Sequence, residues 1–174
     1  MAKPMVTAAA KLALENAWDG LLPIDPREIA NGILVSGRAD DYYPIHVEAI
    51  PDLEYSGEAF FDDARQRFVC RFKSSEYPTR NNFTIAHELG HIILGHVNKG
   101  ERPRRDTRVR MFSNDSKEVD ANQFAAELLM PKKEILTAVD RYDSLDKVAR
   151  IFQVSSTAMS YRLKNLGLLS VEFA

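Results

Sequence analysis

Apolar and polar positions change their period along this chain, and each change marks a predicted element. Helical spacing over 6–19 predicts a first helix, and the segment DPREIANG, with Asp25 as its cap, predicts a second, shorter one at 25–32. Alternating apolar and polar residues then predict four short strands, at 33–36, 45–50, 57–61 and 67–72. Helical periodicity returns in the second half, with predicted helices at 79–94 and 116–130 and a helical section over 132–168. Strands followed by helices indicate an α+β fold.

The predicted helix at 79–94 carries a pattern with a specific chemistry. It contains His87-Glu88-Leu89-Gly90-His91, the HExxH arrangement of zinc-dependent hydrolases. Residues four apart share a face of a helix, so His87 and His91 are predicted to bind one metal ion. We expect Glu88, beside them, to be the catalytic base that accepts the proton of an activated water molecule. An ordinary amphipathic helix is the alternative, and the small and apolar residues around the two histidines argue against it.

A zinc hydrolase usually needs three protein ligands and an open fourth position. Glu118 is the candidate third ligand, because it lies on or beside the apolar side of the predicted helix 116–130, and burying a carboxylate is costly unless a cation neutralises it. The alternative for Glu118 is a carboxylate favoured by the helix dipole. Asn122, one turn further on, is expected to hold a ligand in place. His96 is a weaker candidate, since a continued helix would point it about 180° away from His87.

The predicted helix 116–130 has two different sides. Its apolar side includes alanines that would allow a close approach to the metal-binding helix, Ala121 and Ala125 among them. Asp120, Gln123 and Glu127 lie on the opposite side. The apolar side is therefore the one that we expect to face the metal.

Composition and charge narrow the class of protein. The 174 residues suit one domain, or one with a small appendage, and a net charge of −2 gives no bias towards nucleic acid or acidic membranes. Cys70 is the single cysteine, which excludes an internal disulfide and suits a reducing cytosol, so we expect a cytoplasmic protein. Its place in the alternating strand RFVCRF predicts a buried thiol rather than a ligand. The sequence contains no run of 18 apolar residues, so it predicts no membrane-spanning helix.

Two further groups of polar residues have more than one interpretation. Residues 97–117 hold seven basic side chains against three acidic ones. A solvated loop is the plainer interpretation, and a patch that steers an acidic partner is the sharper one. Arg80 shares the metal face two turns before His87, where we expect it to contact substrate. Tyr77, at the start of that helix, is the candidate for stabilising the oxyanion.

The last segment, SLDKVARIFQVSSTAMSYRLKNLGLL, has the pattern of a helix, a tight turn and a second helix. Ser155 caps the second helix and Gly167 ends it, with apolar residues at helix-turn-helix core spacings. Only Arg162 and Lys164 are basic on the would-be recognition helix, which is sparse for phosphate contacts. We therefore favour a subdomain that supports the rest of the chain over one that binds DNA.

The segments RNNFTIAHELGH and KEVDANQFAAELLMP together resemble the ImmA/IrrE family of metallopeptidases. The resemblance implies a zincin-like core with one Zn²⁺ per chain, held by His87, His91 and Glu118, and Glu88 as the base. It also implies a regulatory role: one specific cut in a helix-turn-helix repressor encoded nearby, which derepresses a phage, mobile-element or stress operon.

The sequence thus predicts a zinc metallo-endopeptidase with two parts. Residues 1–131 form an α+β, zincin-like core, made of a small sheet and the HExxH helix. Residues 132–174 form a helical, helix-turn-helix-like subdomain. Its expected partner is a protein substrate, with nucleic acid less favoured and no membrane. We expect the substrate to bind as an added strand along 57–61 and 67–72. The alternative is a non-catalytic DNA-binding regulator, or a toxin–antitoxin component, that retains a structural metal site. The full set of three ligands and a base favours the enzyme.

Overall fold

The fold is α+β, as predicted, with seven helices and one small sheet in the part of the chain that is described. A computed structural model describes residues 3–37, 41–100, 104–106 and 115–168, with the backbone alone at 104–106. In chain order the elements are α1 (Pro4–Ala17), α2 (Pro26–Asn31), β1 (Leu34–Ser36), β2 (Tyr42–Ile50), β3 (Gly57–Asp62), β4 (Arg67–Lys73), α3 (Pro78–Ile93), β5 (Arg104–Asp106), α4 (Ser116–Leu129), α5 (Lys132–Val139), α6 (Leu145–Ile151) and α7 (Ser156–Asn165).

The predicted elements are present with small shifts at their ends, and their caps follow the sequence. The Asp25 side chain accepts a hydrogen bond from the backbone N–H of Arg27 at the start of α2. Ser155 does the same for Ala158 at the start of α7, and Gly167 follows that helix with a positive φ of 74°. Strand β5 is not predicted by the sequence, because it lies inside the basic segment 97–117, where no apolar alternation marks it.

The sheet is mixed, with the strand order β1-β2-β4-β3-β5. Strands β2 and β4 are parallel, while β3 runs antiparallel to both β4 and β5. The prediction that 67–72 forms a free edge for substrate is wrong, because β4 lies between β2 and β3. The prediction for 57–61 is wrong in part, because β5 already pairs with β3 over Gly57–Ala59. Alternation along a sequence predicts a strand but not its neighbours.

One side of the sheet packs against α3. Phe61, Phe68 and Phe72 are buried on that side together with Cys70. The Cys70 thiol lies 4.0 Å from the carbonyl oxygen of Ile85 on α3. Burial raises the pKa of this thiol well above its usual value, and the nearby Glu88 carboxylate raises it further. Cys70 is therefore a neutral core thiol, as predicted.

Helix α4 crosses α3 at very close range. A Cβ atom added to Gly90 would lie 3.1 Å from Cα of Ala121 and 3.2 Å from its carbonyl oxygen. Only a glycine facing an alanine leaves enough room for two helix backbones at this distance. The predicted close approach through Ala121 is confirmed, and it brings the first turns of α4 alongside the HExxH motif.

The C-terminal helices are held to the rest of the chain by buried and partly buried polar contacts. The predicted core residues of this segment, Ala149, Val154, Met159 and Leu163, are all buried. Arg162 of α7 is only 4% exposed: its guanidinium donates to Glu127 on α4 at 2.6 Å and to the carbonyl oxygen of Met130 at 3.0 Å. At the turn before α7, the Gln153 side chain accepts a hydrogen bond from Asn82 on α3. The division at 131 and the helix-turn-helix character of this segment stay predictions.

The basic segment 97–117 is described only at its two ends and along the backbone of β5. Lys99 bonds to Gln66 at 2.8 Å and lies over the rings of Tyr43 and Phe61, so it belongs to a local contact at the sheet. The arginines of the proposed steering patch lie outside the residues whose side chains are described; these are Arg102, Arg104, Arg105, Arg108 and Arg110. Among the described helices, none has the length and apolar character needed to cross a bilayer.

Candidate metal centre

Helix α3 positions three polar side chains in the interior of the molecule. Tyr77 precedes the helix and Pro78 occupies its first turn, where the missing N–H is not needed. His87, Glu88 and His91 lie three turns further on, and all three are fully buried. Such residues are rarely buried without a partner that offsets their lost hydration, so this face of α3 requires one.

The first turn of α4 brings a carboxylate, that of Glu118, close to the two histidines. Asp115 caps the helix through the backbone N–H of Lys117, which sets the orientation of Glu118 three residues later. The two Glu118 carboxylate oxygens lie 3.3 Å from Nε2 of His87 and 3.3 Å from Nε2 of His91. The two Nε2 atoms are themselves 3.1 Å apart. The three predicted ligands therefore converge on one point, with Glu118 13% exposed.

These distances fit a tetrahedral metal ion. Donor atoms about 2.0–2.1 Å from a zinc ion, at tetrahedral angles, are about 3.3 Å from one another. The hydrogen-bond partners agree, because Oδ1 of Asn122 lies 3.0 Å from Nδ1 of His87. An amide oxygen only accepts, so the proton of a neutral His87 is on Nδ1 and its Nε2 lone pair faces the Glu118 carboxylate. Lone pairs that converge in this way repel one another unless a cation lies between them, so the donor set fits a metal.

Asn122 contacts His87 directly, and its role as a support for a metal ligand stays a prediction. Asn122 lies one turn after Glu118 on the same side of α4, so one helix carries both a carboxylate and an amide to the site. Holding the Nδ1–H of a ligating histidine fixes the tautomer and the orientation of its ring.

His96 contacts the site in a way that the sequence does not predict. Its Nδ1 atom lies 3.0 Å from Nδ1 of His91, and the two ring centroids are 5.1 Å apart. His96 does not join the three converging donors. The helix does not continue to His96: α3 ends at Ile93, and the chain reverses at Gly95 and brings the imidazole back over the last turn.

Glu88 lies against the first residue of β3. A Cβ atom added to Gly57 would be 2.7 Å from Oε1 of Glu88 and 2.6 Å from the methyl carbon of Thr84. A glycine at this position therefore leaves the room that the Glu88 carboxylate occupies against the start of β3. The sequence signal is weak, since a glycine at the start of a strand is usually interpreted as a turn residue.

Arg80 and Tyr77 lie apart from the three converging donors. The Arg80 guanidinium bonds to Glu76 at 2.7 Å and to the Ser56 hydroxyl at 3.0 Å. Tyr77 is 82% exposed, and ten residues of helix separate it from His87, or about 15 Å along the axis at 1.5 Å per residue. This separation argues against a direct contact between Tyr77 and an oxyanion at the site. Both roles stay predictions.

Known proteins are similar to this chain over most of its length. The family model described as the IrrE N-terminal-like domain, peptidase M78, matches residues 40–164. Metallopeptidase ImmA of Bacillus subtilis (strain 168) is 27% identical over 143 residues, which cover 81% of this chain and 67% of that protein. Uncharacterized immunity region protein 2 of Bacillus phage phi105 is 31% identical over 111 residues, covering 60% of this chain and 65% of that protein. The match to the family model includes α3, α4 and nearly all of α7.

Proposed function

Because the chain belongs to the ImmA/IrrE family of metallopeptidases, we propose that it is a zinc-dependent endopeptidase. His87, His91 and Glu118 would hold one Zn²⁺ per chain, and the convergence of their donor atoms carries the proposal. When bound, zinc supplies Lewis acidity, which polarises a carbonyl group and lowers the pKa of water. Three protein ligands leave one tetrahedral position for water or substrate, as in catalytic rather than purely structural zinc sites.

Glu88 is the proposed base. It follows the ligand His87 directly and is fully buried, so its carboxylate acts where bulk water does not compete. It would accept the proton of the attacking water and deliver it to the leaving amine, which requires one carboxylate in two successive roles. Gly57, the first residue of β3, leaves the room that the Glu88 carboxylate occupies.

The proposed substrate is a helix-turn-helix repressor. The name of the phage relative refers to an immunity region, the kind of locus where a repressor is expected, and this supports the proposal. A cut at one position in one protein fits a deeply buried site better than general digestion does. We expect the scissile segment to lie extended at the β3–β5 end of the sheet, because β3 begins beside Glu88, the proposed catalytic base.

Strand β5 changes how such a substrate would bind. It pairs with Gly57, Glu58 and Ala59 on the outer side of β3, and Gly57 is the residue that lies against the Glu88 carboxylate. A substrate strand must therefore displace β5 or pair on its outer side. Displacement would couple substrate binding to a change in the basic segment 97–117, which is also the proposed steering patch for association.

The test is cleavage of the helix-turn-helix protein encoded next to this chain's gene. Zinc-loaded protein should produce two fragments whose masses identify one bond, and it should leave casein largely intact. Glu88→Gln should keep its zinc and its melting temperature but lose cleavage, since an amide cannot accept a proton. Glu15→Gln, at an exposed position on α1, is the matched control and should cleave normally. Normal cleavage by Glu88→Gln would reject the base, and efficient digestion of casein would reject the narrow substrate.

The DNA-binding alternative loses support from α7. Of the two basic residues on the would-be recognition helix, Arg162 is buried in contacts with Glu127 and Met130, so Lys164 is the one basic residue of that helix that is exposed. One exposed cation is too few for phosphate contacts that supply binding free energy. Retardation of a DNA fragment by the purified protein at physiological salt would restore this alternative.

A further inference from the structure

We infer that His96 is a positioning residue for the metal site, which acts by accepting a hydrogen bond from His91. The inference rests on the proposed zinc site and adds a residue outside the HExxH motif to it. His91 and His96 face each other through their Nδ1 atoms at 3.0 Å. In this arrangement His96 fixes the tautomer and the ring orientation of His91, as Asn122 does for His87.

The end of α3 explains why His96 is there. Gly95 has a φ of 70°, and its N–H donates to the carbonyl oxygen of Ile92 at 3.1 Å. The N–H of His96 donates to the carbonyl oxygen of His91 at 2.8 Å. These two bonds form a Schellman motif, in which the second residue after the C-cap folds back over the last turn, commonly onto the residue whose carbonyl it binds. Here that pair is two imidazoles instead of the usual apolar pair.

The chemistry of two facing Nδ1 atoms allows one arrangement when His91 binds metal. The Nε2 atom of His91 faces Nε2 of His87 and the Glu118 carboxylate, so its lone pair belongs to the metal. A neutral His91 then carries its proton on Nδ1 and donates it. His96 must accept through the lone pair of its own Nδ1 and carry its proton on Nε2.

The two ligating histidines are thus supported by acceptors of different kinds. An amide oxygen on α4 holds His87, and an imidazole nitrogen just beyond α3 holds His91. In the side chains of Asn and His, Oδ1 and Nδ1 lie at nearly the same distance from Cβ. An asparagine at position 96 therefore offers an acceptor close to where the imidazole nitrogen is, whereas a leucine offers none.

The experiment measures zinc affinity rather than catalysis. The zinc dissociation constant is determined for the metal-free full chain by competition with a chromogenic chelator, for wild type, His96→Leu and His96→Asn. Loss of an acceptor that holds a ligating histidine weakens metal binding by about 10–100-fold, so we expect this for His96→Leu. We expect His96→Asn to recover most of the affinity. His46→Leu, on the open side of the sheet, is the matched control and should bind zinc like wild type.

Two affinity results would overturn the role of His96. The first is equal zinc affinity in His96→Leu and wild type. The second is equal weakening in His96→Leu and His96→Asn, because a packing role does not distinguish an acceptor from an apolar group.

Nitrogen NMR of the zinc-loaded protein tests the direction of the hydrogen bond. It should show His91 protonated at Nδ1 and His96 at Nε2, and the reverse assignment would contradict the inference. A wild-type chain that binds no zinc would overturn the proposed function itself, whatever the His96 variants do.

Discussion

The polar residues on the two sides of helix α4 have different roles: those on one side reach the proposed metal site, and those on the other hold the helix in place. The side towards α3 carries Glu118 and Asn122, which reach the two histidines of the proposed metal site. The other side carries Asp120, Gln123 and Glu127. These three contact Lys3, which caps α1, and the helices α1 and α7. The first side performs the proposed chemistry, and the second holds the helix in the position that the chemistry requires.

The contacts on the second side join distant parts of the chain. Lys3 binds Asp120 through its ammonium group at 2.7 Å, and its backbone N–H donates to Gln123 at 2.9 Å. Glu127 accepts from Thr7 on α1 and from Arg162 on α7. Helix α4 is therefore attached on one side to the N-terminal helix and to the C-terminal helix at once. The difference between the sides yields four predictions.

Substitution on the first side should have the largest effect. Glu118→Ala removes one of three proposed ligands, so we expect zinc affinity to fall by more than the roughly hundredfold loss typical of a supporting residue, and cleavage to disappear. Zinc content after dialysis measures this directly. Glu127→Gln, the matched substitution on the second side, should keep its zinc. Full zinc in Glu118→Ala, with loss in Glu127→Gln, would reverse the assignment of the two sides.

Breaking the buried pair on the second side should come next, and it should affect stability instead of metal. Glu127→Ala leaves the Arg162 guanidinium buried without its carboxylate, which typically costs about 3–5 kcal/mol. Urea unfolding of the metal-free protein measures the loss. The double variant Glu127→Ala with Arg162→Met should be less destabilised than Glu127→Ala alone. A double variant that is destabilised by the sum of the single effects would show that the pair is not coupled.

A larger separation of α3 and α4 should moderately lower both the stability of the protein and its affinity for zinc. In Gly90→Ala the new methyl group would lie 3.1 Å from the backbone of Ala121, so α4 must shift. Overpacking of this kind costs about 1–3 kcal/mol, against a gain in helix propensity of up to about 1 kcal/mol. We expect net destabilisation together with weaker zinc binding, because Glu118 moves with α4. Destabilisation with unchanged zinc affinity would show that the two properties are independent here.

The contact of α1 should give the smallest effect. Lys3 is 49% exposed, and ion pairs of this kind contribute about 0–1 kcal/mol after screening by solvent. Lys3→Ala should therefore lower the unfolding free energy by less than about 1 kcal/mol, and the difference should shrink at high salt. Thermal unfolding at two salt concentrations checks this. A loss equal to that of Glu127→Ala would mean that α1 is the main attachment of α4.

The two sides of α4 also differ in how far the sequence predicts them. Glu118 is predictable, because a carboxylate on an apolar helix face needs a cation, and the spacing of His87 and His91 specifies where that cation lies. The contacts of Asp120 and Glu127 are not, since polar residues opposite an apolar face look like a solvated surface. Only the tertiary arrangement brings Lys3 and Arg162 to them. Periodicity describes one helix at a time and carries no information about its neighbours.

The same reasoning applies to the sheet and to His96. Alternation predicts β3 and β4 but not their order, so it does not distinguish a central strand from an edge. Strand β5 has no apolar alternation, and its pairing with β3 is carried by the backbone. The exclusion of His96 from the site assumes that α3 continues, although Gly95 directly before it is the residue that most often ends a helix by a reversal. The glycine that ends the helix is therefore the sequence signal from which the position of His96 could have been predicted.

The contacts of α4 also bear on when a newly made chain can assemble its proposed metal site. A ribosome delivers His87 and His91 before Glu118, and at about 5–20 residues per second the third donor follows only some seconds later. The contact of Arg162 with Glu127 forms later still, when α7 has been made. Until then the two imidazoles lack both their carboxylate and the support that holds it. From the synthesis of His91 to that of Arg162, a growing chain of this protein thus carries an incomplete or unsupported form of the proposed metal site.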